Sequence, residues 1–163
     1  MTDPTRDPVH KARYAFEPEG ENLLVDCWLE PGGGLPEHLH PIQEEHWSVT
    51  EGEVLFQLGS TKRVIGPDDG VMVVKPGTKH SLASTGKGEA KLHCVVMPAG
   101  GLEAFLTESA RAAREGLFMK GGIPKSVEGA RWAATFLKRH RDEVVMTFPP
   151  PLAQRAMIAL LAR

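Results

Sequence analysis

From Asn22 to Met97 the chain alternates between short apolar runs and turn-forming clusters. The runs are LLVDCWL, EEHWSVTEG, EVLFQL, VMVVK and AKLHCVVM, and the punctuation is PGGG, GSTK, GPDDG, KPGTK and TGKGE. Short strands at this spacing predict an antiparallel sandwich or barrel, and no alternation of helix and strand supports a parallel sheet. After Pro98 the period changes. Leu102, Phe105, Leu106, Ala110 and Ala113 recur on one helical face, and Gly116 ends that helix. Ser126 is placed to cap a second helix from about Val127 to Arg141, with Ala130, Ala133, Phe136 and Leu137 as its apolar face. Pro149 to Pro151 interrupt the chain before a short helix from Leu152 to Leu161.

The division that follows is an arm over residues 1–14, a β-barrel over 15–100 and a helical extension over 101–163. The arm is polar, contains two prolines, and is expected to be mobile or ordered only against a partner subunit. The extension carries Phe105, Leu106, Trp132, Phe136, Leu137, Ile158 and Leu161, too much apolar surface to leave in water. It is expected to dock on the outside of the barrel or across a dimer interface. Its removal should cost solubility or stability yet leave the candidate site in place. The basic cluster Lys138, Arg139, His140 and Arg141 reads as a solvated face that suits the helix dipole.

The segment Gly32 to Gly52 carries the chemistry. It holds His38 and His40 two residues apart and Glu45 five further on, while His80 follows in VKPGTKHS. Residues i and i+2 of a strand share a face, so two imidazoles can aim at one point, with Glu45 and His80 adding a carboxylate and a third imidazole. Such a donor set suits a divalent first-row metal ion. Parity sends Trp47 and Val49 inward with Glu45, and His46 and Ser48 outward. In KLHCVVM the inward face is open between His93, Val95, Met97 and Leu92, Cys94, Val96. His10, His46, His93 and His140 lie outside the cluster and read as structural.

The spacing resembles that of the cupin superfamily. Gly32, His38, His40, Glu45 and Gly52 meet the family's first motif, G-x5-H-x-H-x4-E-x6-G, without a gap. Glu44 is the competing carboxylate, but only Glu45 has the spacing to Gly52. The second motif, G-x5-P-x-G-x2-H-x3-N, is met by Gly77 and His80. Asp69 stands at its first glycine, Lys75 at its proline with Pro76 one place late, and Ser84 at its final asparagine. The likeness covers about residues 20–100. It implies a mainly β fold, a double-stranded β-helix (jelly-roll) barrel, here with a C-terminal α-helical extension. It also implies a metal site of His38, His40, Glu45 and His80 holding Fe, Mn, Ni, Cu or Zn, with positions left for water or substrate. The function it implies is that of a metal-dependent small-molecule enzyme, with a dioxygenase or related oxidoreductase leading. The alternative is a non-catalytic sensor cupin that binds a metal or small molecule. Pocket walls are expected from Trp47, Val49, Phe56 and Leu82, while Tyr14, the single tyrosine, is not expected at the site.

Composition sets the remaining bounds. A length of 163 residues suffices for one domain with a sizeable core, and a net charge of −2 gives no nucleic-acid or membrane footprint. Cys27 and Cys94 lack metal-finger spacing and read as buried thiols of a reducing compartment. The first residues contain no apolar run, so a cytoplasmic location is expected. The expected partners are a small-molecule substrate or ligand and a second copy of the chain in a homodimer.

Overall fold

A computed structural model describes residues 1–162. Two antiparallel sheets face one another. The first joins β1 (Thr5–Asp7), β2 (Ala12–Glu19), β3 (Asn22–Leu29), β10 (Ala90–Met97), β5 (Glu44–Glu51) and β8 (Met72–Val74) in that order. The second runs β11 (Val145–Met146), β4 (Gly34–Leu39), β9 (His80–Ser84), β6 (Val54–Leu58) and β7 (Thr61–Ile65). Three helices follow β10: α1 (Leu102–Arg114), α2 (Val127–Arg139) and α3 (Pro151–Leu161), with β11 between the last two. None of them is long and apolar enough to cross a membrane.

The period-2 reading of the strands holds. Glu45, Trp47 and Val49 are buried on β5, whereas Glu44, His46 and Ser48 are half-buried. On β10 the inward face is Leu92, Cys94 and Val96, which leaves His93 to pair with Asp26 on β3 at 2.9 Å. Val54, Phe56 and Leu82 of the second sheet close on Val25, Cys27 and Leu29 of the first to form one core. Gly59, at φ 58°, and Ser60 make the two-residue turn between β6 and β7, a left-handed position that glycine adopts without strain.

The arm departs from expectation. Thr5–Asp7 pairs with Ala12–Tyr14 in the same chain, and Ala12 and Tyr14 are buried in the core. Ala12 and the run Tyr14–Phe16 are buried, and pairing with β3 through Ala12–Glu19 extends the sheet into this segment. The helices form close to where they were expected. Ser126 accepts the Gly129 amide at 3.1 Å, as a cap should, and α2 ends at Arg139 rather than Arg141. His140 is buried and not part of a solvated face, packing against Phe105 and Phe136 with ring centroids 5.6 and 4.7 Å away.

Candidate metal centre and its cavity

His38 and His80 are partners on the β4–β9 ladder, although Leu35 already pairs with Leu82. Three steps along β4 therefore match two along β9, which places a bulge at Pro36–Glu37. The extra residue changes parity, so Leu35 packs on the core and His38 still points inward. Pro36 has no amide to lose from the ladder and is suited to that position. On the other side, Lys75–Thr78 closes a turn, with the Thr78 amide 3.1 Å from the Lys75 carbonyl, Pro76 second and Gly77 third at φ 77°. This is the type II pattern, so the displaced proline is still placed where a turn uses it. The Gly77 amide then donates to the His40 carbonyl at 2.7 Å, tying the two histidine-bearing segments together.

The three imidazoles converge. One ring nitrogen from each of His38, His40 and His80 falls within 4.8 Å of the others, and all three rings are buried. Each Nδ1 faces a backbone carbonyl: Pro36 at 2.7 Å, Glu143 at 2.8 Å and Thr78 at 3.1 Å, respectively. A carbonyl only accepts, so each ring carries its proton on Nδ1 and turns the Nε2 lone pair inward, as metal-binding histidines do. Glu45 adjoins two of them, with Oε1 3.1 Å from His40 Nε2 and Oε2 2.9 Å from His80 Nε2, and stands outside the mutually close trio of ring nitrogens. Neither nitrogen has a hydrogen-bond partner, because an imidazole lone pair and a carboxylate both only accept. Buried nitrogens that face one another without a protein partner are the arrangement a cation would satisfy. Trp47 Nε1 donates to Glu45 Oε2 at 2.9 Å and fixes the carboxylate. Glu44 points away, bonded to His46 at 2.7 Å and Lys75 at 2.8 Å.

The electrostatics favour a neutral His38 and an ionised Glu45 but pull His40 towards its charged form. Burial, reinforced by His80 and His40, pushes His38 down to about 3, against the opposing pull of Glu45. Burial also disfavours charge on His40, but Glu45 and the Glu143 carbonyl outweigh it and raise its pKa. Glu45 is held well below the carboxylate range despite its burial, because His40 and His80 flank it.

Metal-free protein should accordingly weaken in acid. His38 contributes stability that is full above its unfolded value of 6.5 and lost as the pH falls towards about 3. Glu45 adds to that loss below its unfolded value of 4.5. His40 acts in the other sense, contributing below 6.5 and ceasing to do so as the pH rises through its raised pKa. The expected net result is a urea midpoint that declines from pH 6.5 towards 3, and declines less steeply in His38→Ala. Equal slopes for the two proteins would contradict it.

His38, His40 and Glu45 reach the wall of a cavity of about 560 Å³, while His80 is fully buried. Of the four expected wall residues only Trp47 lines it; Val49, Phe56 and Leu82 fill the core between the sheets. The rest of the wall comes from places the motifs did not indicate. Tyr14 of β2 lines the cavity, contrary to expectation, as do Leu102, Phe105, Phe136, Val144 and Met146 of the extension. The extension is therefore not confined to the barrel's outer surface. Its strand β11 pairs Met146 with His38, its Glu143 carbonyl holds His40, and the Glu143 carboxylate accepts from the buried Gln43 amide.

Fold and site together define a small double-stranded β-helix protein with a buried imidazole cluster beneath an apolar cavity. A cupin-domain family model matches residues 26–96, the central part of the two sheets. A protein from Arthrobotrys oligospora named as an oxidoreductase is 23% identical over 146 residues, covering 76% of this chain. The match spans 58% of that relative's length. Among solved structures, a double-stranded β-helix protein from Klebsiella pneumoniae aligns at a TM-score of 0.52 and 23% identity, over 58% of this chain and 79% of its own. An RmlC-like cupin from Shewanella frigidimarina aligns at 0.53 and 20%, over 61% and 86%. These structural likenesses establish the fold.

Proposed function

We propose that this protein is a cupin and a metal-dependent enzyme acting on a small, largely apolar molecule, of oxidoreductase and most simply dioxygenase type. One observation carries the reading: His38, His40 and Glu45 reach the wall of a cavity otherwise lined mainly by apolar side chains, and the fully buried His80 completes the imidazole cluster. His38, His40, His80 and Glu45 would hold the ion, which suits Fe, Mn, Ni, Cu or Zn. When bound, such an ion supplies Lewis acidity and, if redox-active, electron transfer. The protein's own part is positional. Three carbonyls orient the imidazoles, Trp47 orients Glu45, and Phe105, Phe136, Val144 and Met146 exclude water from the space beside them. The cavity is within the range of small-molecule sites, about 300–1,000 Å³. The name of the Arthrobotrys relative supports the oxidoreductase class.

The test is metal analysis of full-length protein purified without chelator, followed by O2-uptake assays with phenolic, thiol and keto-acid substrates. Near-stoichiometric metal and metal-dependent uptake with one class are expected. Metal with tight small-molecule binding but no turnover of any class would replace the enzyme by a sensor cupin. Absence of bound metal, with none taken up on titration, would overturn the metal centre itself.

A further inference from the structure

The cavity has a second ionisable pair, on the wall built by β1 and the turn that follows it. Asp7 is 2% exposed, and its Oδ1 accepts the amides of Val9 at 2.9 Å and His10 at 3.1 Å. Its Oδ2 stands 2.7 Å from His10 Nδ1. Burial favours the neutral acid here, but His10 and the two amides outweigh it and hold the carboxyl below its ordinary value. An ionised carboxylate only accepts, so the ring proton sits on Nδ1 and the lone pair on Nε2. Among the described residues Asp7 is the only hydrogen-bond partner of the His10 ring, which is 22% exposed and lines the cavity that His38, His40 and Glu45 also line.

The glycines that open the first motif clamp this turn. The Gly34 amide donates to the His10 carbonyl and the Glu30 amide to the Lys11 carbonyl, each at 3.0 Å. A Cβ on Gly33 would stand 2.9 Å from the His10 oxygen and 2.6 Å from that of Lys11, so the two backbones can press this close only with glycine there. The His10 backbone is thereby fixed relative to β4, the strand that carries His38.

We propose that Asp7 and His10 form an acid–base dyad, separate from the imidazole cluster, that acts on a small apolar ligand bearing an ionisable hydroxyl. The hydroxyl proton passes to His10 Nε2, the O–H bonding pair stays on the ligand oxygen, and the imidazolium formed is held by Asp7. The proton returns to product or solvent, so no oxidant or further reactant enters the step. Asp7 is the positioning residue, fixing the tautomer that leaves Nε2 basic. Apart from the imidazole cluster and Glu45, the other ionisable side chains on the walls shared by His10 are Tyr14, Glu37, Cys94 and Lys120. Burial keeps Tyr14 and Cys94 protonated. The dyad rests on the reading of the cavity as a substrate site, but not on the presence of a metal.

The probe is 4-nitrophenol, whose phenolate absorbs visible light and whose neutral form does not. Full-length protein stripped of metal should bind it as phenolate at a pH where the free probe is mostly neutral. His10→Gln keeps the Asp7 bonds to the turn amides and should lower that phenolate signal about tenfold or more. Asp7→Asn offers the same amides a carbonyl but can no longer hold an imidazolium. It should weaken the signal and move the ring proton of His10 towards Nε2, read by 15N NMR. An undiminished signal in His10→Gln, a signal confined to metal-loaded protein, or no binding of the probe would each overturn the dyad. The metal content of the same preparations reports on the metal centre independently, so the two readings fail separately.

Discussion

Protein carrying His38→Ala and His40→Ala together should emerge from purification with its bound metal reduced by at least about tenfold, since even residues that merely orient ligands typically cost ten- to a hundredfold. The two rings contribute two of the three inward nitrogens, and Glu45 with His80 cannot enclose an ion alone. His46→Ala is the matched control. That ring lies half-buried on the outer face of β5 against Glu44, away from the imidazole cluster, so metal content should not change. The carboxylates give the finer contrast. Glu45→Gln keeps an oxygen for Trp47 but loses the charge and should weaken binding; Glu44→Gln disturbs only the contacts to His46 and Lys75 and should be mild. Retention of stoichiometric metal by the double variant would end the assignment. A reversed ranking of the two glutamates would show that the other carboxylate faces the ion.

The second large effect is expected from truncation after Ala99. The extension lends the core Leu102 and Val144, and Phe136 is buried in the cavity wall. Each contributes about 1.5–3 kcal/mol on full burial, against a net stability of about 5–15 kcal/mol for a typical domain. Removal would also open the cavity beside Tyr14 and Trp47 to water, unpair β4 from β11 and release the Nδ1 of His40. The truncated chain should therefore be poorly soluble, melt well below the full-length protein and hold metal more weakly. Thermal melts, sedimentation and metal content of the two forms check this. A truncated barrel with equal stability, unchanged mass in solution and full metal affinity would show that the extension is dispensable to the site.

What was readable from sequence was local. His38, His40 and Glu45 lie within eight residues of one another, so strand parity and motif spacing suffice to bring them together. The buried faces of β5 and β9 and the three helices likewise follow from periods of two and of about 3.6 residues. The missed features are non-local or too short to show a period. Val145–Met146 is a two-residue strand in EVVMTFPP, and nothing in that run reveals that it borders His38. Glu143 lies 103 residues from the ring it orients and acts through its carbonyl, which any residue could supply. The bulge at Pro36–Glu37 is visible only once β9 is alongside. Asp7 and Tyr14 read as part of a polar arm because the charged residues and prolines around them hide the strands that continue the sheet.

The bond from His40 to the Glu143 carbonyl has a thermodynamic corollary. If docking of the extension raises the affinity of the imidazole cluster for an ion by some factor, the ion must favour docking by the same factor, because the two equilibria form a closed cycle. Filling the centre and closing the chain over the cavity are thus one cooperative event, and protease resistance of the segment around Glu143 should rise with metal occupancy.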